Sequence, residues 1–131
     1  MAHRRLFLDA NVLFSAAYRE DAGVGRLWEL PDATLLTSGY ALEEARRNLE
    51  TDEQTQRLTR LADDLEVVAE AGPIALPEDV HLPEKDRPIL RAALRSNATH
   101  LITGDLTHFG PYLGDEIEGV RVVRPADLLR D

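Results

Sequence analysis

The sequence predicts an α/β protein with a mainly parallel sheet covered on both faces. Three observations carry this. Apolar runs of strand length alternate with segments of helical period along the whole chain, the pattern of βαβ units. The clearest runs, Leu6–Leu8 and Leu101–Ile102, are continuous rather than alternating, as in strands buried on both faces. Two runs also end at an aspartate, Asp9 and Asp105, and the carboxyl ends of strands are where open α/β sheets bind ligands.

The elements follow in order. Leu6–Leu8 is the first strand, and Asn11–Tyr18 reads as a helix after it. Taken alone, Asp9 is best explained as the N-cap of that helix; the second strand with the same ending shifts the balance. Gly23-Val24-Gly25 breaks the pattern before a short helix at about Arg26–Leu30, and Pro31-Asp32 is a turn. Thr34–Thr37 is a second buried strand, with Ser38 placed to cap a helix over Gly39–Leu49. Thr51 and Gln54 have capping-box spacing, and Leu58, Leu61, Ala62 and Leu65 follow at helical intervals. Leu65–Ala69 reads equally as the end of that helix or as a short strand.

Pro73, Pro77 and Pro83 make Gly72–Pro83 an extended surface loop. A helix over Glu84–Ser96, a strand over Thr99–Thr103 closed by Gly104-Asp105, and a loop marked by Gly110-Pro111 and Gly114 come next. Val120–Val123 is the last strand, and Pro125, suited to a first helical position, starts a terminal helix to Leu129. No repeat, low-complexity tract or linker divides the chain, so residues 1–131 read as one domain.

Composition narrows the function. The 131 residues carry 24 acidic and 15 basic side chains, a net charge of −9, which weighs against a module that binds nucleic acid by global attraction. The excess is either a solvated surface or several carboxylates gathered in one pocket around a cation. Fourteen of the basic residues are Arg, a ratio that says little by itself. Cysteine is absent, which excludes disulfides and thiol catalysis and suits a cytoplasmic location. No apolar run approaches the ~20 residues of a membrane span, and the basic start Met1–Arg5 is not followed by a signal-peptide pattern.

Further carboxylates come from helical phase. Asp86 heads the apolar stripe of Ile89, Leu90, Ala93 and Leu94. There it is either a buried group needing a partner or metal, or a wet one complementing the helix dipole. Glu44 lies slightly nearer the Ala41, Leu42, Ala45 and Leu49 face than Glu43 does, and either also reads as an exposed charge paired with Arg46 or Arg47. The four histidines, His3, His81, His100 and His108, show no paired spacing of a zinc site. Trp28, Tyr40 and Phe109 read as packing residues, and Ser15 and Ser38 lack a nucleophile motif.

The segments LFLDANVLFSA, TSGYALEEARRNL, EKDRPILRAAL, THLITGDLTHF and VRVVRPADLL, in this order, resemble a PIN-domain ribonuclease of the VapC-like kind, the toxin of type II toxin–antitoxin pairs. The resemblance implies a three-layer α/β/α sandwich with a central, mainly parallel sheet. It also implies RNA as substrate, an antitoxin partner, a homodimer, and an acidic site of Asp9, Glu44, Asp86 and Asp105 binding Mg²⁺ or Mn²⁺. Glu44 is chosen over Glu43 because it directly precedes Ala45. Members often carry another acid shortly after the last Asp, where this chain has Thr107 and His108, a departure that bears on a second metal.

Clustered carboxylates offer the hard oxygens that Mg²⁺ and Mn²⁺ prefer. Asp9, Asp86 and Asp105 would bind the metal, with Asp9 and Asp105 as principal ligands. Asp86 and Glu44 would also hold water and help generate the nucleophile, while Asn11 and Thr103 orient these groups or the phosphate. Arg46, Arg47, Arg87 and Arg91 are candidates for phosphate contacts and equally for solvated helix charges.

Other classes fit less well. A phosphoacceptor signalling domain would need an acid beside Asp9 and a late-strand Lys, but Leu8 and Ala10 flank Asp9, and Lys85 begins a helix. A haloacid-type phosphatase would need a second Asp where Asn11 stands. The remaining alternative is a non-catalytic PIN-like module that binds RNA or a partner protein.

Overall fold

A computed structural model describes residues 3–70, 72 and 74–129. Met1 and Ala2 of the basic start and Pro73 of the extended loop lie outside them. In chain order the elements are β1 (Arg4–Leu8), α1 (Ala10–Tyr18), β2 (Ala33–Ser38), α2 (Gly39–Asn48), α3 (Asp52–Ala62) and β3 (Glu66–Val68). They continue with α4 (Arg87–Arg95), β4 (His100–Ile102), β5 (Glu116–Ile117), β6 (Val120–Val123) and α5 (Pro125–Leu128). The six strands form one sheet in the order β3-β2-β1-β4-β6-β5, parallel except for the β5–β6 pair.

Strand β1 is the centre of the core. Leu6, Phe7 and Leu8 are all fully buried, and successive strand residues point to opposite faces, so helices cover the sheet on both sides. This is the three-layer α/β/α arrangement. Burying each of these side chains contributes about 1.5–3 kcal/mol. On one side α1 packs on α2 and α3; elsewhere α4 packs on β2 and β4 and touches α2.

Caps fix where the helices start. Ser38 is buried at the end of β2, and its Oγ accepts from the Ala41 N–H at 3.2 Å, opening α2 at Gly39. Ser38→Ala should therefore cost about 1 kcal/mol in urea unfolding; an unchanged midpoint would mean that packing alone holds the start of α2. Thr51 and Gln54 form the reciprocal capping box of α3. Trp28 packs against the core, and its Nε1 donates to the Leu61 carbonyl at 3.0 Å.

Several boundaries differ from the sequence reading. The helix expected over Glu84–Ser96 is a single 3₁₀ turn, Glu84–Asp86, followed by α4. Pro88 explains this, because its ring would meet the carbonyl four residues back in a continuous α-helix. The short helix after α1 is a 3₁₀ run over Gly23–Glu29, which includes the glycines expected to interrupt it. Such a short segment with two glycines does not repay α-helix nucleation. Leu65–Ala69 contains a strand, β3, on the sheet edge beside β2. Strand β5 is an addition to the sequence reading: Glu118 and Gly119, at φ 50° and 87°, fold a tight hairpin back from β6.

The proline-rich stretch lies on the surface but is pinned. Arg91 Nε donates to the Ile74 carbonyl at 2.9 Å and Arg87 Nε to the Leu82 carbonyl at 3.1 Å. Tyr112 Oη accepts from the His81 N–H at 2.6 Å, and Leu82 is buried. Two of the arginines considered for phosphate contacts thus use their Nε to hold this loop.

Candidate metal centre at the strand ends

The sheet order reverses between β1 and β4: the chain builds outward through β2 and β3, then returns to the other side of β1. That is the switch point of an open α/β sheet, where a crevice forms at the carboxyl ends. The register pairs Leu8 with Ile102, so the next residues, Asp9 and Thr103, emerge side by side. The Asp9 N–H continues the ladder by donating to the Ile102 carbonyl at 3.0 Å.

Asp9 caps a helix and also anchors a polar network. Its Oδ1 accepts from the Ala10 N–H at 2.7 Å, and Oδ2 accepts from the Thr103 hydroxyl at 2.8 Å and from Asn11 Nδ2 at 3.3 Å. Thr103 Oγ1 in turn accepts from the Asp105 N–H at 3.0 Å, while Asn11 Oδ1 accepts from the Gly104 N–H at 2.8 Å. One buried hydroxyl therefore couples the positions of Asp9 and Asp105. Asp9 is only 4% exposed, and burial raises its pKa to about 6. The Thr103 hydroxyl and Ala10 N–H oppose that shift, and the negative charges of Asp86 and Glu44 add to it.

Asp105 is held by its own turn. Its Oδ1 accepts from the Thr107 and His108 N–H groups, each at 3.0 Å, and its carbonyl accepts from Phe109 N. Asp105 thus caps this turn. Burial alone would raise its pKa, but the His108 and Thr107 amides and the His108 ring outweigh it and hold the group below its usual range.

Asp86 lies at the start of α4 on the buried stripe, only 8% exposed. Burial raises its pKa; the nearby His108 and Lys85 counter this and Asp105 adds to it. His108 Nδ1 lies 2.9 Å from Asp86 Oδ2 and 2.9 Å from Asp105 Oδ2. The approach is ionic in distance but poorly aligned: Asp86 Oδ2 and His108 Nδ1 are both buried and neither makes a well-formed hydrogen bond.

Glu44 is half-buried on α2, beside a cavity of about 370 Å³ that Asn11 also lines. Glu43 is exposed and paired with Arg46. A larger cavity of about 590 Å³, lined by Asn11, Ser15, Arg26, Gly104 and Leu129 among others, lies on another side of Asn11.

Asp86, Asp105 and His108 each offer a ligand atom within 4.8 Å of the others. Asp9 and Glu44 stand outside this tight group. Asp9 is tied to it through Thr103, and Glu44 bears on Asp9 through its charge. Carboxylate oxygens that burial makes costly to ionise, together with two buried polar atoms lacking good partners, are a donor set that fits a divalent cation. His108 is the member the sequence reading does not place in the site: there it is noted only for lacking a paired histidine and for standing where a further acid is often found. The signal was its spacing from Asp105: three residues on within one turn, its amide hydrogen-bonded back to that Asp.

A family model described as the PIN domain matches residues 5–107. Among solved structures, one chain of "VapBC2 from Rickettsia felis bound to a DNA fragment from their promoter" superposes with a TM-score of 0.68 at 19% identity. The match covers 92% of this chain and 98% of that one. Two curated proteins named hydroxyacylglutathione hydrolase, from Rhizobium etli and Rhizobium johnstonii, are each 32% identical, over 73% and 66% of this chain. The chain spans only 44% and 41% of their lengths. The chain belongs to the PIN domain family. Its sheet and helices are those of a PIN-like α/β/α sandwich.

Proposed function

We propose that this protein is a metal-dependent endoribonuclease, a toxin of the type II toxin–antitoxin kind that hydrolyses RNA phosphodiester bonds in the cytoplasm. The observation that carries the reading is the gathering of Asp86 and Asp105 at the sheet's switch point, with Asp9 coupled to Asp105 through Thr103. Membership of the PIN domain family and the likeness to a chain of a VapBC2 assembly support it. A cognate antitoxin is accordingly the proposed protein partner.

Asp86 and Asp105 would hold a Mg²⁺ or Mn²⁺ ion, with Asp9 completing the site directly or through water. Such an ion lowers the pKa of a bound water and neutralises charge on the phosphoryl oxygens. Thr103 and Asn11 fix the Asp9 carboxylate so that it does not swing away when substrate arrives. Glu44, beside the cavity that Asn11 also lines, would orient the attacking water. Asn11 borders both neighbouring cavities and would meet a phosphate or sugar oxygen of bound RNA.

Incubating the purified protein with labelled single-stranded RNA tests this. Cleavage should require Mg²⁺ or Mn²⁺, stop with chelator, and fall by about 10²–10³-fold in Asp105→Asn with the circular dichroism unchanged. Binding of RNA without cleavage under all metal conditions would favour the non-catalytic module. Equal cleavage by the variant would reject the assignment of the site.

A further inference from the structure

We propose that His108 is itself a ligand of the divalent cation, through Nδ1, and that it biases the site toward Mn²⁺ over Mg²⁺. This rests on the reading of Asp86 and Asp105 as a cation site. Three observations carry it. Nδ1 lies 2.9 Å from Asp86 Oδ2 and 2.9 Å from Asp105 Oδ2. Adjacent donors that each sit about 2.1 Å from one cation at right angles are about 3.0 Å apart, so the spacing is that of neighbouring ligands. Asp86 Oδ2 and His108 Nδ1 are also buried and lack a well-formed hydrogen bond, a desolvation cost that a shared cation removes.

The third observation is how firmly the ring is presented. The His108 amide is hydrogen-bonded to Asp105 Oδ1, and the next residue, Phe109, is fully buried. The imidazole is thus fixed against both carboxylates by its own turn. As a ligand it is neutral, with its proton on Nε2. Mg²⁺ favours oxygen donors in a strict octahedron, whereas imidazole nitrogen suits later divalent ions better, so one nitrogen among the donors tilts selectivity toward Mn²⁺.

The test uses the full chain and measures binding of Mn²⁺ and Mg²⁺ by calorimetry, with pulsed EPR on the Mn²⁺-loaded protein. The wild type should show ¹⁴N modulation from one imidazole and bind Mn²⁺ more tightly than Mg²⁺. His108→Ala should lose the modulation and about tenfold in Mn²⁺ affinity, with a smaller change for Mg²⁺. His108→Asp, which restores an oxygen donor, should bring the two affinities together; circular dichroism checks that both variants fold. Wild-type protein that binds Mn²⁺ without ¹⁴N modulation would overturn the role of His108 and leave the carboxylate site standing. So would a Mn²⁺:Mg²⁺ ratio unmoved by His108→Asp, or tighter Mn²⁺ binding in His108→Ala, as expected if the ring is only a positive charge standing between the acids. Wild-type protein that binds neither ion would overturn both readings.

Discussion

Asp9→Asn is expected to abolish metal-dependent RNA cleavage while making the metal-free protein more stable at neutral pH. The two effects share one cause. The Asp9 carboxyl is buried, and its pKa of about 6 lies above the ordinary 3.8. A raised acid holds its proton more tightly in the folded state. Its contribution to stability is therefore fully present below pH 3.8 and is lost as the pH rises through 6. At pH 7.5 the ionised group costs the metal-free fold about 3 kcal/mol. Asn keeps the acceptor for the Ala10 N–H, but its Nδ2 can accept from neither Thr103 nor Asn11, a loss of about 1–2 kcal/mol. A net gain of about 1–2 kcal/mol should remain at pH 7.5 and reverse by pH 4, where the variant should be about 1 kcal/mol less stable than the wild type. Adding Mn²⁺ should stabilise the wild type at pH 7.5 far more than at pH 5, and the variant little at either. Thermal melts at the three pH values with and without metal measure this. A metal-free variant that melts below the wild type at pH 7.5 would mean that Asp9 is not under electrostatic strain.

Phe109→Ala should be among the most damaging single changes, destabilising the protein by about 3–5 kcal/mol. The ring is fully buried directly after His108, in the turn whose amides hold Asp105 Oδ1. Its loss would leave a core cavity and free the segment that carries two of the three close ligand groups. Urea unfolding and Mn²⁺ affinity should therefore fall together, with Phe109→Leu intermediate in both. Full destabilisation with unchanged Mn²⁺ affinity would show that the turn holds its shape without its anchor.

Much of this was legible in the sequence because it is written in local patterns. Leu6–Leu8 and Leu101–Ile102 are apolar without alternation, which only burial on both faces explains, and the structure buries them fully. Ser38, Thr51 and Gln54 cap the helices they were expected to cap. Asp86 was placed on the apolar stripe of its helix by period alone, and it is buried. What stayed hidden depends on long-range placement or on very short elements. The exposed pair Glu66 and Val67 gives β3 no buried face to separate a strand from a helix end, and β5 has two residues. Sequence does not state that β4 returns beside β1, yet that crossover makes neighbours of Asp9 and Thr103, whose hydroxyl also takes the Asp105 N–H. The approach of His108 Nδ1 to two carboxylates follows from a turn whose hydrogen bonds are made by Asp105 itself.

The central claim is that acids far apart in the chain share one cation at the ends of β1 and β4. A crystal soaked in MnCl₂ and measured for anomalous scattering tests it most directly. The expected map has a peak bounded by Asp86, Asp105 and His108, on the side facing Asp9. A well-soaked crystal with its peak elsewhere, or with none at this crevice, would contradict the claim.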